Sequence, residues 1–205
     1  MIESDLSALR EEIRAHMDER RYRHTIGVER EMRRLASFLA PNLLEDAAIA
    51  GIFHDITKCF SLGEQLSYCA DHGLAVDEDE RLAPALLHAK TGAHYAKAKY
   101  PCFVNDAVCD AIARHTTAHP PLSLLGAMLF VADFTEEGRD YPDCVALREF
   151  LYTESLLGEE GMKHFKNVVL KALDLSLSEL VEEGRPIALK TVEARNALLQ
   201  GKLLF

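Results

Sequence analysis

Apolar residues recur at intervals of three and four along almost the whole chain, and no convincing period-two alternation interrupts them. Leu6, Leu9, Ile13 and Met17 mark one face of a first helix, since residues three and four apart share a side of a 3.6-residue repeat. A second segment, Tyr22 to Leu39, runs through Ile26, Met32 and Leu35 and is stopped by Pro41. Asn42 with Glu45 has the form of a capping box opening a third helix, Leu43 to Lys58. Ser61 and Glu64 repeat that signal before a short helix ending near Gly73. The acidic run Asp77 to Glu80 reads as a solvated turn, and the positions around Leu86, Leu87 and Ala93 as two short helices interrupted near Gly92. Asn105 or Asp106 caps a helix carrying Val108, Ile112 and His115, Ser123 caps one ending at Asp133, and Pro120-Pro121 separates them. From Asp143 to Phe205 two or three further helices are expected, with breaks at Gly158, Gly161 and Gly184-Arg185-Pro186. The fold class is all-α.

A chain of 205 residues with 48% hydrophobic composition can bury one substantial core. Its formal net charge of −10 opposes a long polyanion, and nucleic-acid binding needs a basic face, so no nucleic-acid partner is expected. The start, Met1 to Asp5, is acidic with no apolar stretch behind it, which argues against a secretory signal. The longest apolar run, Leu124 to Ala132, falls far short of the roughly 20 residues that cross a bilayer, so no membrane partner is expected. Cys59, Cys69, Cys102, Cys109 and Cys144 form an odd set without Cys-x-x-Cys spacing. They read as small, reduced core residues in a cytoplasmic protein. Arg20, Arg21, Arg23, Arg30, Arg33 and Arg34 are the only basic concentration, read as a solvated helix face paired with Glu19, Glu29 and Glu31.

The chemistry lies in a His54-Asp55 pair placed between His24 upstream and His88, His115 and Asp133 downstream. A lone His-Asp dipeptide carries little weight. Six potential ligands in this order look like a hydrolase site. On one helix the two side chains diverge by about 100° and can flank a metal from both sides. Imidazole and carboxylate suit iron, manganese, zinc or nickel, and Asp55 has two oxygens with which to bridge two ions. Lys58, three residues on, places an ammonium within reach of a phosphate. His16, His72, His94 and His164 lack such a setting and read as solvated or structural.

This order resembles the HD-domain metal-dependent phosphohydrolases. Arg21 to Val28, Gly51 to Lys58, Leu86-Leu87-His88, Ala113 to Thr117 and Ala132 to Pro142 are similar, string by string, to the motifs of the YqeK-like branch. The resemblance implies a helical HD bundle with a catalytic core over residues 1–155 and an extension over 156–205 packed on the same domain. It implies one metal on His24, His54, Asp55 and Asp133 and a second on Asp55, His88 and His115, most readily iron, with manganese as the alternative. The implied activity is symmetrical cleavage of diadenosine tetraphosphate to two ADP by a hydroxide bridging the ions. Lys58 and Arg139 then stabilise the developing charge, and Lys58, His88, His115, Thr116 and Arg139 contact substrate. A mononucleotide phosphohydrolase of the same fold and a slow nucleotide-sensing module are the alternatives. The partner is a small nucleotide, and homodimerisation is left open. Two departures stand out: Ala118-His119 where the family often has glycine and arginine, and Ala127 where it often has lysine. Lys90 and a protonated His119 are the expected partial compensation.

Overall fold

The structure is a computed structural model that describes residues 3–202, with side chains from Asp5 onward. Among them are eleven α-helices and no strand: α1 (Glu3–Arg14), α2 (Glu19–Leu39), α3 (Leu44–Phe53), α4 (Leu62–Asp71), α5 (Glu78–Leu82), α6 (Leu87–Lys99), α7 (Asp106–Arg114), α8 (Leu124–Thr135), α9 (Pro142–Leu151), α10 (Gly158–Glu182) and α11 (Leu189–Leu199). The all-α expectation holds. None of these helices is long and apolar enough to cross a membrane.

Helix α8 is the hub. Every residue from Leu125 to Ala132 is buried, and a helix that is apolar all round is stable only when other helices surround it. It touches α2, α3, α7, α9 and α10. One core joins Val28, Met32 and Leu35 of α2 to Ile52 of α3, Ile112 of α7, Met128 of α8 and Leu147 of α9, and it continues into Phe165, Val168 and Val169 of α10. Each such side chain contributes about 1.5–3 kcal/mol by leaving water.

Several boundaries differ from expectation, each for a local reason. Asp18 accepts a hydrogen bond from the Arg21 amide, so α2 starts one turn before Tyr22. Pro41–Leu43 forms a 3₁₀ turn, and Asn42 makes no capping box with Glu45. Helix α3 stops at Phe53. Beyond it Ile56 bonds to Phe53 O at 3.1 Å, Lys58 to Asp55 O at 2.9 Å and Phe60 to Thr57 O at 3.0 Å, a run of tight turns in place of further α-helix. The expected break at Gly92 is absent, because α6 runs unbroken and Gly92 instead lets it lie against that run. A Cβ at Gly92 would sit 3.3 Å from Thr57 Oγ1 and 3.5 Å from His54 O. Gly161 likewise lies inside α10.

The Asp77 to Glu80 run is no solvated turn either. Asp77 and Glu80 form a capping box for α5. The buried Asp79 carboxylate accepts from the amides of Leu189 and Lys190 at 3.0 and 3.1 Å, capping α11 across the fold. All five cysteines are free; Cys69 and Cys144 are buried, whereas Cys59 and Cys102 are exposed rather than in the core.

Helix α2 lies directly against α3 at Gly51. A Cβ on Gly51 would come 2.7 Å from Glu29 Cα and 2.9 Å from Glu29 N, and backbone cannot swing aside. Gly51→Ala is therefore expected to destabilise the fold by about 1–3 kcal/mol through overpacking. The check is chemical denaturation: the midpoint should fall with little change in slope, and an unchanged midpoint would show that the helices are less closely seated than this.

Candidate metal centre

Four helix ends and one helix interior converge here. His54 caps the C-terminus of α3 and His115 that of α7. His88 lies in the first turn of α6, His24 within α2, and Asp133 in the last turn of α8. The histidines share one device. Nδ1 donates to the carbonyl three residues upstream in His54 (Gly51 O, 2.8 Å), His88 (Ala85 O, 2.5 Å) and His115 (Ile112 O, 2.7 Å). With Nδ1 so committed, the Nε2 lone pair of each ring is the free donor, and the ring plane is fixed.

Those Nε2 atoms meet. His24 and His54 approach to 3.4 Å, and His88 and His115 to 3.1 Å. The Asp55 carboxylate divides the centre. Its Oδ1 lies 3.1 Å from His88 Nε2 and 3.7 Å from His115 Nε2, and its Oδ2 lies 3.5 Å from His54 Nε2 and 3.9 Å from His24 Nε2. Asp133 Oδ1 is 3.0 Å from His24 Nε2. The donor atoms of His24, His54 and Asp133 all lie within 4.8 Å of one another, and so do those of Asp55, His88 and His115. Converging imidazole lone pairs repel unless a cation or a proton lies between them, so the donor set fits two transition-metal ions.

Electrostatics agree with that use. Burial opposes charge on Asp55, but three surrounding histidines, His54 foremost with His115 and His88, hold it well below the usual carboxylate range. Asp133 is likewise kept low against burial by His24 and Arg139. His24 resists burial through hydrogen bonds to Asp133 and Glu136 and is raised to about 9, whereas burial drives His88 down to about 4 despite Asp55.

Every expected metal ligand is thus in one place. Lys58 Nζ sits 3.3 and 3.2 Å from the two His88 nitrogens, so the ammonium lies against the ring rather than along one bond. Burial lowers its pKa, with Asp55 and Asp133 opposing. Arg139 reaches Asp133 twice, from Nη2 to Oδ1 at 2.7 Å and from Nε to the carbonyl at 3.0 Å. Thr116 falls elsewhere, lining a 230 Å³ pocket with Pro84, Leu86, Leu180 and Pro186.

Neither expected compensation operates. Lys90 is tied to Glu80 and Ala75 O, both at 2.5 Å. His119 is pushed down to about 4 by burial and by Arg114, so it is neutral at pH 7. Ala127 is fully buried in the core and removes no cation from the surface. Ala118 has φ +51°, a left-handed conformation that favours the glycine which the resemblance implies at this position. The strain of about 1–2 kcal/mol is offset by about 0.8 kcal/mol for its completely buried methyl.

Two functional neighbours lay hidden in the sequence. Glu136 Oε1 accepts from His24 Nδ1 at 3.1 Å, and Oε2 from the Gly138 amide at 2.6 Å. Gly27 makes room for it, since a Cβ there would stand 2.2 Å from Glu136 Oε2. Arg21 departs from the solvated face assigned to it and pairs with Asp55 Oδ2 at 2.5 Å. Its position within the first resembling string was the available signal; Glu136 had none beyond lying in the last one.

Residues 21–138 match the model of the HD domain family. The chain belongs to this family. It is an HD-domain hydrolase. A symmetrical bis(5'-nucleosyl)-tetraphosphatase of Halalkalibacterium halodurans is 29% identical over 91% of this chain and 93% of its own. One from Bacillus subtilis is 27% identical over 92% and 95%. A crystal structure from Clostridium acetobutylicum, described as a predicted HD superfamily hydrolase involved in NAD metabolism, superposes with a TM-score of 0.82 at 27% identity, covering 96% of this chain and 97% of that one.

The geometry makes Glu136 the residue that orients His24 from outside the donor set. Glu136→Gln is expected to weaken metal retention about 10–100-fold, while Asp55→Ala, which serves both groups, empties both. Metal analysis after dialysis against graded chelator decides it. Unchanged retention in both variants would mean that these donors hold no ion.

Proposed function

We propose that this chain cleaves diadenosine tetraphosphate symmetrically to two ADP, using two ions, iron first and manganese as the alternative. One ion is held by His24, His54, Asp55 and Asp133 and the other by Asp55, His88 and His115. The observation that carries the proposal is Asp55, whose two oxygens face two histidine groups. Relatives that are named symmetrical bis(5'-nucleosyl)-tetraphosphatases and align over nine-tenths of the chain support it. In this reading residues 1–155 are the catalytic core and 156–205 an extension on the same domain, in a cytoplasmic enzyme.

When bound, two such ions bring the pKa of a water toward neutrality and clamp the attacking and leaving oxygens of an in-line displacement. The chain's own groups do the rest. His24 and Asp133 are the partly exposed members, so substrate enters on their side, where a cleft of about 660 Å³ opens. Arg139 and Arg21 point from the walls of that cleft toward the centre and hold Asp133 and Asp55 in place. Lys58 lies against His88 of one donor group and Arg139 against Asp133 of the other, so charge that develops on a phosphate oxygen meets a cation beside each group. ADP is a good enough leaving group that no dedicated acid is needed.

Diadenosine tetraphosphate is expected to give ADP as the sole nucleotide product, with one terminal phosphate labelled by heavy-oxygen water. AMP plus ATP would overturn the symmetrical register, and release of phosphate from mononucleotides alone would favour the other hydrolytic reading. Lys58→Ala should lower kcat about tenfold to a thousandfold with metal content unchanged. Arg139→Ala should lower kcat and metal retention together, because Asp133 loses its ion pair; a wild-type kcat in both would remove them from catalysis.

A further inference from the structure

The cleft beside the centre is lined by Arg20, Arg21, Arg23, His24, Arg139 and Tyr141, among others. Two of its arginines already have work, Arg21 on Asp55 and Arg139 on Asp133. Arg20 and Arg23 make no such tight ion pair. Arg20 has no ion-pair partner among the described residues, and Arg23, with 76% of its side chain exposed, uses only Nε, donating to Glu19 O at 3.4 Å and lying 3.9 Å from the Glu19 carboxylate. Of the acids on the same walls, Asp18 is engaged as the N-cap of α2 and Glu136 on His24, which leaves the Asp140 carboxylate beside Tyr141 against the four arginines. In a chain of net charge −10, two uncommitted guanidiniums at the mouth of a phosphohydrolase centre are an anion site.

Tyr141 supplies the other half. Apart from the His24 imidazole it is the one aromatic ring on the cleft, and it is 54% exposed. Nothing in the core explains it. Its backbone is extended, at φ −62° and ψ 139°, directly before Pro142 at the first turn of α9, and the residue before a proline is held in that region. The Cα that carries the ring is therefore held in extended backbone at the entry to α9. An exposed phenol ring beside arginines is a platform on which a planar base can stack. The volume, about 660 Å³, falls in the range of about 300–1,000 Å³ that encloses a single small ligand.

We propose that this cleft holds one nucleoside diphosphate half of the substrate, with the base stacked on Tyr141 and the outer phosphate paired with Arg20 and Arg23. The proposal rests on the dinucleotide reading above and goes beyond it by naming what distinguishes a nucleotide end from a bare polyphosphate. Arg20 and Arg23 recognise charge, and Tyr141 recognises the base.

The chain contains no tryptophan, so Tyr141→Trp provides the sole indole fluorophore at the platform. In the metal-loaded variant ADP should quench that emission saturably, whereas inorganic tetraphosphate should displace ADP without quenching by itself. Adding Arg20→Ala and Arg23→Ala to this variant should weaken the ADP titration about tenfold or more. In steady-state assays with diadenosine tetraphosphate, Tyr141→Ala should raise KM about tenfold with a much smaller change in kcat, and Tyr141→Phe should stay near wild type. Emission indifferent to saturating ADP, or an unchanged KM in Tyr141→Ala, would overturn the assignment. If the wild type leaves diadenosine tetraphosphate intact, the proposed activity fails, while the ADP titration still decides whether the cleft is a nucleotide site.

Discussion

The structure depends on keeping one carboxylate ionised where water is almost absent. Asp55 is buried, and an isolated charge in such a place is far too costly to persist. Around it stand His54, His88, His115 and the Arg21 guanidinium at 2.5 Å, one from each of four different segments. Each must arrive with the right atom forward, and the fold is arranged so that each does. The tight-turn run after α3 carries Asp55. That run is held from behind by Thr57 Oγ1, which donates to His88 O at 3.1 Å and meets Thr91 Oγ1 at 2.9 Å, and by Gln65 Nε2, which donates to Thr57 O at 2.7 Å. The two bonds of Thr57 Oγ1 seat the turn on α6, which brings His88, and the Gln65 bond ties it to α4. A shift of the turn would thus move two candidate ligands at once.

Helix C-termini supply the second element of order. The last carbonyls of a helix lack intrahelical donors, and at α3 and α7 the ligand histidine satisfies one of them from its own ring. A single bond therefore ends the helix, selects the tautomer and aims Nε2. Because the α3 terminus must also lie close to α2, small residues occupy the contact: Gly51 lies against Glu29, and Gly27 leaves space for Glu136. Stability and chemistry are coupled through these contacts, since the distance between helices sets the distance between donors.

Much of this was legible in the chain. The 3.6-residue periodicity gave the helices, and caps such as Ser61, Asn105 and Ser123 formed as their residue types require. The six donors were readable because histidine and aspartate in motif strings have few other reasons to occur there. Three things were not. The end of α3 at Phe53 had no helix-breaking signal of its own, because the nearby Gly51 serves the close approach to Glu29 and the His54 ring bond that closes the helix is invisible in the sequence. Gly92 and Gly161 read as breaks because a glycine's role as a point of close approach is invisible without its neighbour. Arg21 was indistinguishable from the arginines around it: charge spacing is the same for a solvated residue and for one turned inward, and only the position of Asp55, 34 residues away, separates them.

The wall of the cleft shows why residues far from the metal ligands matter to their geometry. Arg148 of α9 donates to Thr135 O and Glu136 O at 2.8 Å each and to Arg139 O at 2.5 Å. Two of those carbonyls belong to the end of α8, where they have no helical donors of their own, and the third belongs to the segment that follows. One guanidinium therefore ties the helix that carries Asp133 to the strap that carries Glu136, Arg139 and Tyr141. His24 is oriented by Glu136, Asp133 by Arg139, and both by the strap, so the mouth of the cleft and the first donor group form a single mechanical unit. Their coupling means that a ligand pressing on Tyr141 acts on the same backbone that aims the donors. The exposed wall and the buried centre share a scaffold, which is why the half-buried Arg148 on α9 bears on the geometry of the candidate centre although it touches none of its donors.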